Sequence, residues 1–575
     1  MEDYIKNKVD YWLNNDFDEP TKEAVKAMNE EELIEAFYTD LKFGTGGLRG
    51  IMGAGTNRIN KYIIAKATQG FADYLHTAFP GEQLSVAVAH DSRNNSRFFA
   101  EITAAVFSAN KIKVFLFKEL RPTPELSFAL RHFQANAGVV ITASHNPKEY
   151  NGYKAYWQDG GQVLPPHDKG IIDAIAKIDN ITAIDTKGNP ALIETITEEI
   201  DKIYINKICS LKLSPAAIKN NRDLKIVYTP IHGSGITVVP RALEQYGFTN
   251  ITLVDEQKDP DGNFPTVPYP NPEERAAMEP ALKKAGAVGA DIILATDPDT
   301  DRVGMGIKKP DQSYTLLNGN QTGSILIYYL LHGWQAAGKL TGSEYIVKTI
   351  VTSELFREIA AAFQVECMEV LTGFKYIAEK IRLNEKNKTF IAGGEESYGY
   401  LTGSFVRDKD AVIACCLLSE CAAWAAAQGK SLYDILMEIY IKYGFFLEQL
   451  VSVKKKGKQG LEEIKKMMHT FHTAPPTEIN NTKILYIKDY ARQLATDTVT
   501  GRTAPLDQPV SEVVQFFLED KTIITARPSG TEPKIKFYFA VKGTLNQSAD
   551  FPRVYRELTD KITAYKKITG DNDAS

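Results

Sequence analysis

The chain has 575 residues, room for several domains at about 100–200 residues each, and is 43% hydrophobic and 24% charged, the composition of a globular protein. Its 67 basic and 72 acidic residues leave a net charge of −5, which excludes a general nucleic-acid binder, since that would need a basic excess. The five cysteines, Cys209, Cys367, Cys415, Cys416 and Cys421, are odd in number and form no C-x-x-C pair; they exclude a disulfide framework and are expected as buried thiols.

The first residues, Met1-Glu2-Asp3-Tyr4, have neither a basic start nor an apolar core, so no signal peptide is expected and the cytoplasm is the expected location. Residues 1–40 are polar and helix-prone and predict a helical extension. A first α/β domain is expected over 41–209. It opens on a glycine-rich turn, Phe43-Gly44-Thr45-Gly46-Gly47-Leu48-Arg49-Gly50, which is neither a dinucleotide fingerprint nor a P-loop but suits an anion beside Arg49. Strands are predicted at Leu84–Ala89 and Ile112–Phe117, and a helix over Thr123–Phe133. The apolar β-branched run Val139-Val140-Ile141 then delivers Thr142-Ala143-Ser144-His145-Asn146-Pro147 at a strand's carboxyl end, where ligands of open α/β sheets bind. Beyond it, Asn151-Gly152 turns the chain and sends Lys154 back toward the serine.

A second α/β domain is expected over 210–324, with strands at Leu224–Tyr228 and Ile251–Val254 and a helix over Ile236–Tyr246. Asn271-Pro272-Glu273 predicts a helix start capped by Asn271. A strand at Asp291–Ala295 ends in Thr296-Asp297-Pro298-Asp299-Thr300-Asp301-Arg302. A third domain, over 325–455, places Gly393-Gly394-Glu395-Glu396-Ser397 after the strand Thr389–Ala392. The apolar stretch Ala411–Ala427 carries Ser419 and Glu420 and reads as a core helix rather than a membrane span. The run Lys454-Lys455-Lys456-Gly457-Lys458 reads as a solvated linker to a smaller domain over 470–570, which bears Arg527-Pro528-Ser529-Gly530-Thr531-Glu532-Pro533-Lys534.

Three acids at alternate positions, Asp297, Asp299 and Asp301, repel one another without a cation, and hard oxygen donors beside phosphate chemistry suit Mg²⁺. An EF-hand would need Gly at 302 and Glu at 308, where this chain has Arg302 and Lys308. Arg527, Ser529, Gly530 and Thr531 offer the donor set for a phosphate dianion. The acidic, hydroxylated Glu395 and Ser397 suit sugar hydroxyls better than phosphate.

These four loops, in this order, resemble those of the α-D-phosphohexomutase superfamily, over about residues 40–540. Their form is similar to the branch that holds bacterial phosphoglucomutases and phosphopentomutase-like enzymes. The resemblance implies four domains around a central cleft, three similar α/β units and a smaller α+β phosphate-binding lid. It implies interconversion of sugar 1- and 6-phosphates, glucose first, through a phosphoserine and glucose 1,6-bisphosphate, with Mg²⁺ as cofactor and a small sugar phosphate as partner. Carried over by position, Ser144 is the phosphoserine and, with Asp297, Asp299 and Asp301, a metal ligand. Arg302 faces the same phosphate. Glu395 and Ser397 meet sugar hydroxyls, and Arg527, Ser529, Gly530 and Thr531 grip the distal phosphate. Arg49, His145, Lys154 and Lys409 are candidates for charge neutralisation and proton transfer. Some members have a His soon after the sugar loop; this chain has Tyr398-Gly399, so the resemblance moves acid–base work to another residue, Lys409 by preference. Phosphopentomutase, phosphomannomutase, sugar-bisphosphate synthase, a hydrolase and a non-catalytic binding protein stand as alternatives.

Overall fold

The computed structural model describes residues 1–570 except Thr45, Lys456 and 530–533. The chain forms two compact units, Met1–Thr322 with Phe374–Gly429, and Gly323–Gly373 with the chain from Lys430 onward.

In the first unit, three short helices, α1 (Asp3–Asn14), α2 (Glu19–Lys26) and α3 (Glu30–Phe37), enclose their own core. Trp12 stacks on Phe17 at 4.5 Å, and Phe37 meets Trp12 edge-on. Asn29 and Glu32 form a reciprocal capping box that starts α3. A six-stranded sheet follows, in the order β1 (Gly47–Ile51), β5 (Tyr150–Trp157), β4 (Ala137–Ile141), β2 (Ser85–His90), β3 (Lys113–Phe117) and β6 (Ile193–Ile196). Strands β4, β2, β3 and β6 run parallel; β5 pairs antiparallel with β4, and the edge strand β1 pairs antiparallel with β5. Helices α4 (Lys61–Ala78), α5 (Ser96–Ala109), α6 (Thr123–His132) and α7 (His167–Ala176) belong to the same domain. Strand β4 is buried along its whole length, as its unbroken apolar run requires.

The second sheet has the order β11 (Tyr314–Leu317), β10 (Val303–Lys308), β9 (Ile292–Thr296), β7 (Ile226–Thr229) and β8 (Ile251–Leu253). Strands β9, β7 and β8 are parallel; β10 folds back antiparallel on β9, with Val303 opposite Thr296. The helix expected from Asn271 begins instead at Arg275. Asn271 Oδ1 accepts the Glu273 amide, two residues on, at 3.1 Å, so its side chain closes a turn before the helix rather than capping it. The unit is completed by the hairpin Thr389–Gly394 and Tyr400–Thr402 and the buried helix Ala411–Ala426. The two polar residues of that helix have internal partners. Ser419 Oγ donates to the Cys415 carbonyl at 2.8 Å, and Glu420 accepts from the amides of Leu213 and Ser214 and from the Tyr246 hydroxyl.

In the second unit, Glu344–Thr349 and Glu366–Val370 pair in parallel. A larger antiparallel sheet includes Phe445–Lys454, Lys534–Gly543, Ile523–Pro528, Val514–Leu518 and Thr482–Asp489 in that order. Residues 445–454 were expected in the third domain, with Lys454 opening a linker. They form instead an edge strand of this sheet, paired along ten residues with Lys534–Gly543. All five cysteines are free, three of them buried in the helix Ala411–Ala426. Among the described residues, no helix is long and apolar enough to cross a membrane.

Candidate active site

Strand β4 ends at Ile141, and the next three residues are tied to the loop that follows β2. Thr142 Oγ1 donates to Asp91 Oδ2 at 2.6 Å and accepts from the Ser144 amide at 2.8 Å. Ser144 has φ of 52°, the left-handed region that a residue with a Cβ rarely adopts. The surroundings hold it there. The buried guanidinium of Arg93 donates to four carbonyls of this segment: Ser144 at 2.6 Å, Asn146, Pro147 at 2.8 Å and Tyr150 at 3.0 Å. Asp91, itself buried, accepts from the Arg93 amide and the Ser96 hydroxyl.

That geometry aims the Ser144 hydroxyl at the tip of the β9–β10 hairpin, where it donates to Asp297 Oδ2 at 2.7 Å. With that proton committed, His145 Nδ1, 3.1 Å from the same oxygen, is left as the donor to it. Burial, then the nearby Arg302 and Arg49, push the His145 imidazole well below its ordinary value, so it is neutral at pH 7.

The hairpin tip is buried, with Asp297 and Asp299 at 0% exposure and Asp301 at 2%. Asp297 Oδ1 accepts the amides of Asp301 and Arg302, which shapes the loop from within. Thr300 is left-handed, with φ of 59°, and its hydroxyl meets Ser234 Oγ at 2.9 Å. One oxygen from each of the three carboxylates lies within 4.8 Å of the others. Burial, and then the charges of Asp299 and Asp301, hold Asp297 well above the usual carboxylate range. Burial opposes ionisation of Asp299 too, but the Lys154 ammonium, a hydrogen bond from Asp297 and the Lys409 charge together outweigh it and hold that group low. Asp299 Oδ1 and Asp301 Oδ1 are buried and have no hydrogen-bond partner. Two orphaned anionic oxygens in an all-oxygen donor set fit a hard divalent cation, so the group fits a metal ion.

Cations surround this loop. Lys154 Nζ bridges Asp299 Oδ2 at 2.7 Å and Asp301 Oδ2 at 3.0 Å. Lys409 Nζ lies 3.1 Å from Asp301 Oδ2 and 3.3 Å from Asp408 Oδ1. Burial alone would discharge Lys409, but Asp301, Asp408 and Glu395 override it and hold the ammonium above its ordinary range. Arg302 pairs with Glu273 at 2.5 Å, and Arg49 donates to Asn146 Oδ1 at 3.1 Å. Arg49, Ser144, Lys154, Asp301, Arg302 and Lys409 line one cavity of about 240 Å³.

The loop after Gly394 joins the same unit. Glu395 is buried, its amide bonds the Gly399 carbonyl at 2.9 Å, and the Tyr398 carbonyl accepts from Val303 at 3.0 Å. Ser397 is half-buried. The Tyr398-Gly399 departure has a physical counterpart: a Cβ at position 399 would stand 2.1 Å from Lys409 Cδ. Glycine there makes room for the lysine stem. Arg527 and Ser529 belong to the second unit, at the end of the hairpin Ile523–Pro528 and Lys534–Gly543. Arg527 stands opposite Lys536 in register, a repulsive pairing that an anion would relieve. Gly530 and Thr531 lie outside the described residues.

Two contributors went unnoticed in the sequence. Arg93 sits in a loop whose position after a strand was visible but whose partners were not. Thr123, the first residue of α6, donates its amide to the Asp299 carbonyl at 2.8 Å and its hydroxyl to Asp299 Oδ2 at 3.2 Å.

A left-handed serine whose hydroxyl faces three buried carboxylates, the two loops supplied by two successive α/β domains, is an arrangement suited to phosphoryl transfer. The chain belongs to the phosphoglucomutase/phosphomannomutase family of the α-D-phosphohexomutase superfamily. It matches the models for that family's α/β/α domain I over residues 40–182, domain II over 202–310 and domain III over 318–443. It is 36% identical to a phosphoglucomutase of Staphylococcus aureus, over 92% of this chain and 95% of that one. It is 35% identical to a phosphoglucomutase of Staphylococcus epidermidis, over 92% and 96%. Its fold is similar to that of the open form of pp63/parafusin, a phosphoglucomutase from Paramecium, with a TM-score of 0.67 at 16% identity, covering 94% of this chain and 97% of that one.

Proposed function

We propose that the protein is a phosphohexomutase of the phosphoglucomutase type, which moves a phosphoryl group between the 1- and 6-positions of glucose. One observation carries the reading: a left-handed Ser144 whose hydroxyl lies 2.7 Å from the first of three buried acids, two of which keep unpartnered oxygens. The names of the curated relatives support glucose as the sugar.

The chemistry follows from the groups present. With Ser144 phosphorylated, the Oγ–P bond breaks while a sugar hydroxyl oxygen bonds to phosphorus and loses its proton. The resulting glucose 1,6-bisphosphate turns end for end. Its other phosphoryl group then returns to Ser144 Oγ, and the departing sugar oxygen takes a proton. Arg49, Lys154 and Arg302 neutralise charge at the transferring group. In each half-reaction Lys409, held charged, gives its proton to the departing oxygen, Ser144 Oγ first and the sugar oxygen second, and takes back the proton that the attacking hydroxyl loses. His145, held neutral, orients Ser144 Oγ. Asp297, Asp299 and Asp301, with the serine phosphate, would hold Mg²⁺, which when bound withdraws charge from the phosphoryl group. Glu395 and Ser397 take sugar hydroxyls. Arg527 and Ser529, with Gly530 and Thr531, take the remaining phosphate. Positioning and charge neutralisation supply most of the rate in such transfers.

The test is a coupled assay of glucose 1-phosphate isomerisation with inorganic phosphate measured in parallel. Isomerisation that is lost in chelator and restored by Mg²⁺ is expected. Phosphate release without isomerisation would overturn the reading in favour of a hydrolase. Arg527→Ala should lower kcat/KM about tenfold to a hundredfold for glucose, mannose and ribose 1-phosphates alike, through lost charge-assisted hydrogen bonds. Glu395→Gln should instead change the ranking of the three sugars.

A further inference from the structure

A second cavity, of about 680 Å³, lies where the N-terminal helices meet the first α/β domain. Its size is within the roughly 300–1,000 Å³ of small-molecule sites. It differs from the catalytic cavity in character. Buried Phe43, Leu48, Ile63 and Ala67 contribute to its walls, and Ile172 and Tyr38, both large and exposed, also line it.

The charged groups that line it are three lysines, Lys8, Lys42 and Lys66, and one acid, Asp40. Lys8 is neutralised by Asp40 at 2.6 Å. Lys42 and Lys66 also line the cavity, and among the described residues neither forms an ion pair. An apolar wall with two uncompensated ammonium groups matches a ligand with an aliphatic body and one anionic end. A neutral lipid would leave the lysines unused, and a bare anion would leave the wall wet. We propose that this cavity is a regulatory binding site for a medium-chain amphipathic carboxylate.

The coupling to the active site is covalent and short. Leu48 lines both cavities, and the next residue on β1 is Arg49. Strand β1 pairs with β5 so that Leu48 stands opposite Tyr153 and Gly47 opposite Lys154. Phe43 packs edge-on against Tyr153, ring centres 6.3 Å apart. An occupant pressing on Phe43 and Leu48 therefore bears on the two strands that deliver Arg49 and Lys154.

Decanoate is the probe, with decanol and inorganic phosphate as controls, and calorimetric titration of the full chain as the readout. Decanoate should bind at one site, and both controls should bind at least about tenfold more weakly, because each lacks half of the recognition. Lys66→Ala should weaken decanoate about tenfold. Ile172→Asp, at an exposed rim position that folding tolerates, should abolish binding. Equal affinity for decanol and decanoate, or decanoate binding untouched by both variants, would overturn the site. This arm does not depend on the proposed reaction. The regulatory clause rests on that reading and has its own measurement: saturating decanoate should shift KM for glucose 1-phosphate at least twofold in the wild type and not in Ile172→Asp. Binding with unchanged KM and kcat would overturn that clause.

Discussion

The Ser144 loop and the Asp297–Asp301 loop meet at one hydrogen bond, yet they are held in opposite ways. In the first, strain is local and the backbone is held by side chains: four carbonyls go to one arginine, and the threonine hydroxyl both gives and accepts. In the second, the backbone is satisfied by Asp297, but two carboxylate oxygens at its centre are left without partners. A buried polar group without a partner costs about 1–3 kcal/mol, and more if charged. The Ser144 loop is thus held in place by its own hydrogen bonds, and the acidic loop keeps two carboxylate oxygens with no hydrogen-bond partner.

That difference makes the variants separable. The largest effect expected is that of Ser144→Ala on turnover, a loss of at least about a thousandfold, since the proposed reaction makes Ser144 its phosphoryl carrier. The fold should survive, because Arg93 grips carbonyls that alanine retains. A Ser144→Ala protein with near-normal isomerase rates would break the comparison at its root. Arg93→Met should do the reverse in kind. It leaves the nucleophile but strands four acceptors and the buried Asp91 charge, a cost of about 3–5 kcal/mol. The check is thermal unfolding of both variants beside kcat: Arg93→Met should melt well below Ser144→Ala while keeping more activity per folded molecule.

Asp299→Asn sharpens the other side. Removing one of three crowded acids should weaken Mg²⁺ binding about tenfold to a hundredfold, read by titration calorimetry. Apo-protein stability should fall only modestly, because the Lys154–Asp299 pair is lost while Lys154 keeps its bond to Asp301. A large drop in stability would mean that the acids serve the fold rather than a cation.

What the sequence shows of this arrangement depends on how local each interaction is. The four loops were legible because each is a contiguous run whose residue types state their chemistry, and because each follows a strand. Arg93 was not legible: its acceptors lie 51 to 57 residues away, and a lone arginine in a loop has no signature. Thr123 reaches Asp299 across 176 residues, for the same reason. Asn271 reads in the sequence as a helix cap, but an Asx turn and a helix cap use the same side-chain acceptor and differ only in the backbone path of the next few residues. Lys454 looked like solvent-exposed linker. Its strand is held by pairing with Lys534, at a distance no local pattern records.

The last effect concerns a buried acid that, among the described residues, forms no ion pair. Asp410 is fully buried and caps the helix Ala411–Ala426, accepting from the Ile413 amide at 2.8 Å and the Tyr204 hydroxyl at 2.5 Å. Burial pushes it up to about 7, whereas Asp299, equally buried but beside Lys154, is held low. The sign comes from linkage: the folded state keeps a proton on Asp410 that the unfolded chain releases near pH 4. Stability from this group is therefore full below about pH 4, falls as pH rises, and is lost above about pH 7. The slope between those limits is at most about 1.4 kcal/mol per pH unit. Asp410→Asn retains the capping oxygen and cannot titrate. Melting temperatures of wild type and variant, measured from pH 4.5 to 8, should diverge steadily in the variant's favour up to about pH 7 and then run parallel. Parallel curves throughout would mean that Asp410 is ionised in the folded protein, and that burial without an ion pair does not separate it from the acids of the metal loop.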